Sequence, residues 1–336
     1  MRCRNLSKST KGEVVSIYPN LVTEWPSIPD FPLPPDVAGL PTMIAEPWVK
    51  LEDFRPGHAT EGSIFDADGN LLLCERERPW SQIVKVTPEG KKSVVWRHEN
   101  SCMVGLAVHK NGDIFAADLE AGRIFVISPE GECKREILQP HFFHHIHPND
   151  LDFDKDGNLY ISDFVGDFGD DSGAIWRADA DSDYTRFHMI LGNLYRPNGV
   201  GLSPEGDVLW TSESGKNTVI QIKLDPQGFK KPFWACTSVV YQGASYEKYD
   251  SLRVDSAGNV YQAVQFGGRC LILNKNGIPV ANVVIEGRER GDCNHTPNLA
   301  LKYGTSEGYM LGCGPRGSYV FKFDTLAPAQ KMFCNG

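Results

Sequence analysis

The sequence predicts an all-β fold, a six-bladed β-propeller with four-stranded blades. Two observations lead to this prediction: a hairpin pattern recurs along the chain, and no long stretch has the apolar spacing of a helix. In each copy, a stretch in which apolar residues alternate with other residues leads into a turn that contains glycine, and an apolar strand follows. The turn glycines are Gly69, Gly112, Gly157, Gly206 and Gly258. A repeat of about 40–50 residues built from short strands is typical of propeller blades.

Each copy has the signature of a β-hairpin. Period-two alternation indicates a strand with one buried face, and Asp-Gly or Asn-Gly supplies the positive φ of a tight turn. A sixth, degenerate copy covers residues 294–323. Because an open ring would leave two sheet edges unpaired, residues 47–51 are expected to pair with the C-terminal strands.

The prolines divide the chain into two parts. Seven of them lie between Pro19 and Pro41, which predicts a Pro-rich N-terminal arm over residues 1–45 and a propeller domain over residues 46–336. The arm is expected to lie on the surface, with disorder as the alternative for its first dozen residues.

Composition excludes several classes of partner. The net charge of −9 disfavours nucleic acid, which requires a basic surface. No stretch approaches the roughly 18 apolar residues of a membrane span, and the polar N-terminus lacks the apolar core of a signal peptide. The nine cysteines form no C-x-x-C pair, which indicates reduced thiols. We therefore expect a cytoplasmic protein, whose oligomeric state is left open.

In four of the repeats, an oxygen-bearing side chain occupies the equivalent position, where the innermost strand of the blade is expected to approach the propeller axis. These side chains are Glu61, Asn149, Asn198 and Asp250. Two carboxylates buried together repel each other unless a cation compensates. The all-oxygen set predicts a central metal site for Ca²⁺, with Mg²⁺, Mn²⁺ or Zn²⁺ as alternatives. Taken singly, each motif is more often an ordinary turn.

Three stretches, residues 61–66, 196–203 and 250–261, resemble the gluconolactonase/regucalcin/luciferin-regenerating-enzyme family, and in particular its drug-responsive, calcium-dependent lactonases. The likeness runs from about residue 40 to the C-terminus. The resemblance implies a six-bladed propeller with calcium-dependent lactonase activity.

The resemblance also implies roles for individual residues. Glu61, Asn198 and Asp250 match metal ligands, Asn149 matches a ligand or substrate contact, and Asp250 matches the acid/base carboxylate. Ser251 matches a serine beside that carboxylate and is expected to contact substrate.

Two positions depart from the relatives. The stretch 118–122 looks shorter than the loop that holds a second, structural calcium in these lactonases, so that second site is not expected. His147 stands where the sugar-lactone branch has an arginine, so a gluconolactone-like substrate is not implied. His147 belongs to the His-rich stretch 141–147 and is expected to contact substrate at the pocket rim. The alternative is a metal or catalytic histidine cluster.

Together these residues predict a metal-dependent hydrolase that opens a lactone or a related cyclic ester, a small molecule. The metal would polarise the carbonyl, and Asp250 would transfer the proton. The alternatives are hydrolysis of a cyclic diketone, anhydride or phosphoester at the same hub, and a binding propeller without catalysis. A Ser-His-Asp hydrolase is disfavoured because the chain has no G-x-S-x-G elbow.

Overall fold

The computed structural model describes residues 32–138, 145–166, 169–243 and 247–336. In this part of the chain, antiparallel hairpins build four sheets of four strands and one sheet of eight. The four-stranded sheets are β2 (Ala59–Phe65), β3 (Leu71–Glu77), β4 (Trp80–Val86) and β5 (Lys92–Glu99); β6 (Met103–Val108), β7 (Ile114–Asp118), β8 (Arg123–Ile127) and β9 (Cys133–Leu138); β10 (Pro148–Phe153), β11 (Leu159–Asp163), β12 (Gly173–Ala178) and β13 (Phe187–Leu194); and β14 (Pro197–Leu202), β15 (Val208–Glu213), β16 (Thr218–Lys223) and β17 (Thr237–Gln242).

The eight-stranded sheet joins two antiparallel groups through one long strand, β1. Its strands, in sheet order, are β18 (Tyr249–Val254), β19 (Val260–Val264), β20 (Arg269–Leu273), β21 (Pro279–Ile285), β1 (Thr42–Glu52), β24 (Gly317–Asp324), β23 (Glu307–Gly314) and β22 (Leu299–Lys302). The first part of β1 pairs parallel with β21, and the rest pairs antiparallel with β24. The expected pairing of residues 47–51 with the C-terminal strands is therefore confirmed.

The propeller-like, all-β architecture is confirmed, but the prediction of six four-stranded blades is wrong. The described residues form four four-stranded sheets, and the remaining strands among them merge into one sheet of eight. The physical cause is β1, whose first part pairs with β21 and whose remaining part pairs with β24, so that the strand joins the two groups. Hairpin turns mark strands that follow one another in sequence, whereas this joining depends on a strand more than 200 residues away.

The first strand of each hairpin series lies at the centre. β2 contacts β6 and β22, β10 contacts β6 and β14, and β18 contacts β14 and β22, so these inner strands close a ring. Gly105 permits one of the close approaches, since a Cβ at that position would lie 1.8 Å from the carbonyl oxygen of Asn149. The apolar core fills the space between neighbouring sheets, where Phe115, Phe153 and Trp176 are buried in one cluster.

The repeated turns form as the sequence indicates. Gly157 has φ of 86°, a conformation that glycine adopts without steric cost. The turn aspartates stabilise the same loops: Asp154 Oδ1 accepts the N–H groups of Asp156 and Asn158, both at 2.9 Å. Asp255 Oδ1 accepts two N–H groups in the same pattern.

Helical structure in the described residues is limited to short 3₁₀ turns. They are Ala180–Ser182, Trp234–Cys236, Arg288–Arg290 and Phe333–Asn335. No helix in this part of the chain is both long and apolar enough to cross a membrane. The division into an arm over residues 1–45 and a domain over residues 46–336 stays a prediction, and residues 1–31 lie outside the described ranges.

Candidate active site

β-Bulges mark the start of five inner strands. In β10 the pairing with β11 is regular up to Pro148 and resumes at Leu151, so two residues of β10 face one residue of β11. β14 and β18 have the same two-against-one arrangement, β2 has it just after Glu61, and β6 has a shorter irregularity. A bulge re-aims side chains away from the regular alternation of a strand.

Three of the four predicted metal ligands lie within these bulges, and the fourth lies beside one. Asn149, Asn198 and Asp250 are bulge residues, and Glu61 is the last paired residue before the bulge of β2. Serines on the neighbouring strands satisfy the displaced backbone: Ser162 Oγ accepts the Asp150 N–H, and Ser212 Oγ accepts the Gly199 N–H, both at 2.9 Å.

The structure brings Glu61, Asn198 and Asp250 together in the interior. All three are buried, with 6%, 2% and 3% of their surface exposed. Burial, and then the charge of Asp250, raise the pKa of the Glu61 carboxyl well above its usual range, against the lowering effect of Arg76. Arg76 Nη2 lies 3.9 Å from Glu61 Oε1.

Asp250 has the environment of a buried acid. Burial and, to a smaller extent, the charge of nearby Asp150 raise the pKa of its carboxyl to about 7. A hydrogen bond from Asn198 and the Ser251 N–H act in the opposite direction, the latter at 3.0 Å from Asp250 Oδ1. A carboxyl with a pKa near neutrality can exchange protons efficiently at physiological pH.

Asn198 presents an unpaired oxygen. Its Nδ2 lies 3.3 Å from Ser214 Oγ, whereas its buried Oδ1 has no hydrogen-bond partner among the described residues. An unsatisfied buried amide oxygen costs free energy, and a cation would satisfy it. Beside two carboxylates, this oxygen gives the site the hard oxygen donors that Ca²⁺ prefers.

The central metal site expected from Glu61, Asn149, Asn198 and Asp250 is not found as a metal-binding cluster among the described residues. No group of three or more His, Cys, Asp or Glu side chains suited to a metal occurs in the described ranges. The reason is the donor set itself, which pairs only two carboxylates, Glu61 and Asp250, with amide oxygens. The central metal site is therefore not part of the fold as the structure shows it in the described part of the chain.

The remaining predicted residues lie around this group. Asn149 is buried, 7% exposed, but it is its neighbour Asp150 whose charge acts on Glu61 and Asp250. Ser251 Oγ accepts a hydrogen bond of 2.8 Å from Asn298 Nδ2.

His147 is held by two contacts, one to the carboxylate of Asp163 and one to the backbone of Leu119. Its N–H donates to Asp163 Oδ1 at 2.8 Å, and its Nδ1 lies 2.8 Å from the carbonyl oxygen of Leu119. Because a carbonyl only accepts, Nδ1 carries the proton in this contact. Of the His-rich stretch, residues 141–144 lie outside the described ranges.

Sequence reasoning missed three charged residues near the site: Asp150, Arg253 and Arg76. Asp150 follows Asn149 directly within the same Pro-Asn-Asp motif, so its position was available as a signal. Arg253 and Arg76 had no such signal, because their proximity arises from β18 and β3 folding toward the same centre.

A large cavity lies at the other end of the inner strands. It has a volume of about 880 Å³, and Phe65, Leu202 and Arg253 are among its lining residues. The C-terminal residues Gln330 and Phe333 also line it. None of the predicted site residues does, so the cavity and the buried polar group occupy different ends of the ring.

Comparison with known proteins identifies the family. Residues 59–288 match the model of the SMP-30/Gluconolactonase/LRE-like region. Lactonase drp35 of Staphylococcus haemolyticus is 32% identical over 88% of this chain and 91% of that protein. Lactonase drp35 of Staphylococcus saprophyticus is 30% identical over 90% of this chain and 93% of that protein.

Solved structures agree on the fold. Regucalcin, a calcium-binding protein from Agrobacterium tumefaciens, superposes with a TM-score of 0.67 at 15% identity over 87% of this chain and 99% of that chain. A gluconolactonase from Xanthomonas campestris gives a TM-score of 0.65 at 15% identity, over 81% and 88% of the two chains. The predicted family is thus confirmed: the chain belongs to the SMP-30/gluconolactonase/LRE-like family.

Proposed function

We propose that this protein is a calcium-dependent hydrolase that opens a lactone or a related cyclic ester, with Asp250 as its acid/base residue. The observation that carries the proposal is the buried group of Glu61, Asn198 and Asp250, in which an unpaired amide oxygen lies near two carboxyls of raised pKa. Relatives that are 30–32% identical over most of the chain bear the name lactonase.

The charges at the centre support a bound cation. Glu61, Asp150 and Asp250 influence one another. Against these three carboxyls stand two guanidinium groups, those of Arg76 and Arg253. If all three carboxyls ionise, one negative charge stays uncompensated. A bound cation would supply the missing positive charge.

Glu61, Asn198 and Asp250 would hold the cation, with Asn149 as a further oxygen donor from the neighbouring bulge. When bound, the cation supplies Lewis-acid polarisation of the substrate carbonyl. It would also lower the pKa of Asp250 from its raised value, because a nearby positive charge favours the carboxylate. Asp250 is then ionised and able to accept a proton.

The carboxylate of Asp250 then accounts for proton transfer in both halves of the reaction. It takes one proton from water as the water oxygen bonds to the carbonyl carbon. As the bond between the carbonyl carbon and the ring oxygen breaks, it returns that proton to the ring oxygen. The product is an open-chain hydroxy acid. The interior position of Asp250 keeps the carboxyl away from bulk water, which strengthens its electrostatic effect.

His147, Asn149 and Ser251 are proposed to contact the substrate. Ser251 Oγ already accepts a hydrogen bond from Asn298, so its own hydroxyl hydrogen is available to a ligand oxygen. With its proton on Nδ1 facing Leu119, the His147 ring leaves Nε2 as an acceptor.

The free state of the cysteine thiols supports a proposal for the cellular compartment of the protein. The cysteines of the described residues are free, and most of them are buried. Free thiols are typical of reducing compartments, so we place the protein in the cytoplasm with a small-molecule lactone or ester as its ligand.

The proposal is tested by incubating the protein with a panel of lactones and simple esters and measuring the acid released by hydrolysis. Wild-type protein should release acid with calcium, lose the activity with a chelator, and regain it when calcium is returned. A rate of acid release that does not change when the chelator is added would refute the role of the cation. Calcium binding with no hydrolysis of any panel member would refute the enzymatic role and favour a binding propeller.

A further inference from the structure

Arg253 occupies the centre of the ring, three residues after Asp250 on β18. Its guanidinium pairs with Asp150: Nη1 lies 2.9 Å from Oδ2, and Nη2 lies 3.4 Å from Oδ1. The Asp150 side chain is fully buried, and that of Arg253 is 11% exposed. The sequence pattern assigns this arginine no role, and the proposed chemistry uses it only as a counter-charge.

The Asp150–Arg253 pair joins four inner strands. Arg253 Nη2 donates to the carbonyl oxygen of Ser63 in β2 at 3.2 Å, and Nη1 donates to the carbonyl oxygen of Leu252 in β18 at 2.6 Å. On the other side, Asp150 of β10 accepts the Val200 N–H of β14 at 3.3 Å. A single ion pair therefore links β2, β10, β14 and β18.

The same four strands carry the proposed cation ligands. Ser63 lies two residues after Glu61, Asp150 directly follows Asn149, Val200 lies two residues after Asn198, and Arg253 lies three residues after Asp250. Each of these four residues lies within three residues of a proposed ligand on the same strand. A shift of the Asp150–Arg253 ion pair would therefore change the distances between the ligands. Lysine could not replace this geometry, because only the planar guanidinium donates in several fixed directions.

We propose that Arg253 is a positioning residue of the cation site, one that fixes the spacing of Glu61, Asn198 and Asp250 through its bonds to Asp150 and Ser63. This inference rests on the proposed function. It also makes a counter-intuitive prediction about charge. Removal of Arg253 leaves the centre more negative, which by charge alone would strengthen cation binding, whereas loss of positioning would weaken it.

The sign of the change in calcium affinity therefore tests the proposal. Calorimetric titration of the full-length protein should show that Arg253→Met weakens calcium binding about tenfold or more, the range typical for loss of a residue that orients metal ligands. Arg253→Lys, which keeps the charge, should also bind calcium more weakly than wild type. It remains informative if Arg253→Met does not fold.

Arg269 offers a matched control. It forms another buried ion pair in the same sheet, with Nη2 2.6 Å from Glu247 Oε2, but its partner is not among the charges that act on Glu61 or Asp250. Arg269→Met should lower the melting temperature and leave the calcium affinity of the folded protein unchanged.

The outcomes separate this inference from the function on which it rests. Equal or tighter calcium binding by the Arg253 variants, with normal binding by wild type, would overturn the positioning role and leave the proposed function intact. Equal weakening by Arg269→Met would also overturn it, because the loss would then be a general result of removing a buried ion pair. Wild-type protein that binds no calcium would refute the proposed function itself.

Discussion

The two ends of the inner strands differ in chemistry, although each end is built from copies of one hairpin. Near the starts of β2, β10, β14 and β18, Glu61, Asn149, Asn198 and Asp250 lie within or beside bulges at buried positions. At the opposite ends, regular pairing leads into Gly-containing turns, and a cavity is lined both by apolar residues such as Phe65 and Leu202 and by charged residues such as Lys155 and Asp225.

The difference shows how a repeat separates stability from function. At the end of the inner strands that leads into the Gly-containing turns, the same arrangement recurs, in which an aspartate accepts backbone N–H groups. The bulged end disrupts the ladder at each strand, and the interruptions expose polar groups to one another in the interior. Such groups are costly without a ligand, so the bulged end is where we expect chemistry.

The largest expected effect comes from Asp250→Asn. Loss of the acid/base carboxylate should lower kcat about a thousandfold or more, while the melting temperature stays close to that of wild type because the amide fits the same space. Asp255→Asn, at the turn end of the same strand, is the matched control and should keep most of the activity. Turnover by Asp250→Asn at the wild-type rate would remove Asp250 from the mechanism.

The next effect concerns cation affinity. Glu61→Gln should weaken calcium binding about a hundredfold, because one negative ligand is replaced by a neutral one. Asp152→Asn, which changes a residue that lines the cavity, should cost about tenfold or less. Calorimetric titration of both variants checks the order. Equal losses would show that the two ends do not differ as ligand positions.

A pH dependence of calcium binding follows from the raised pKa of Asp250. In the calcium-free protein burial raises this pKa to about 7, so protons compete with the cation below neutrality. The calcium affinity should therefore be about tenfold lower at about pH 6 than at about pH 8. A pH-independent affinity over this range would contradict the environment described for Asp250.

The stability of the chelated protein should show the opposite trend. The folded pKa of Asp250 lies above the unfolded value of about 4, so the folded state binds the proton more tightly. The associated stability is complete below about pH 4 and is lost as pH rises through about 7. The melting temperature of the chelated protein should fall over this window, and added calcium should oppose the fall.

The smallest effect on activity is expected at the cavity end. The Phe333 ring lies 5.3 Å from Phe153 and 4.9 Å from His109, so Phe333→Ala should cost about 2 kcal/mol of stability. Because the contact lies away from Asp250, kcat per folded molecule should be unchanged. A large loss of kcat in protein shown to be folded would mean that the two ends are coupled.

Several features could be predicted from the sequence because their causes are local. The turns at Gly157 and Gly258 form where Asp and Gly stand in the repeat, and the pairing of residues 47–51 follows from the need to close the sheet edges. The convergence of Glu61, Asn198 and Asp250 was predictable from their common phase. Asn149 shared that phase, yet its neighbour Asp150 carries the charge that reaches the other carboxyls.

By itself the sequence determined an all-β chain of repeated hairpins, the family, and the oxygen-bearing residues at one phase of the repeat. Only the tertiary structure decided that β1 joins two groups of strands into one eight-stranded sheet, and that Arg253 reaches Asp150 and Ser63. The physical reason is range: a turn is fixed by neighbouring residues, whereas these contacts join residues that are far apart in sequence and meet only when the ring closes.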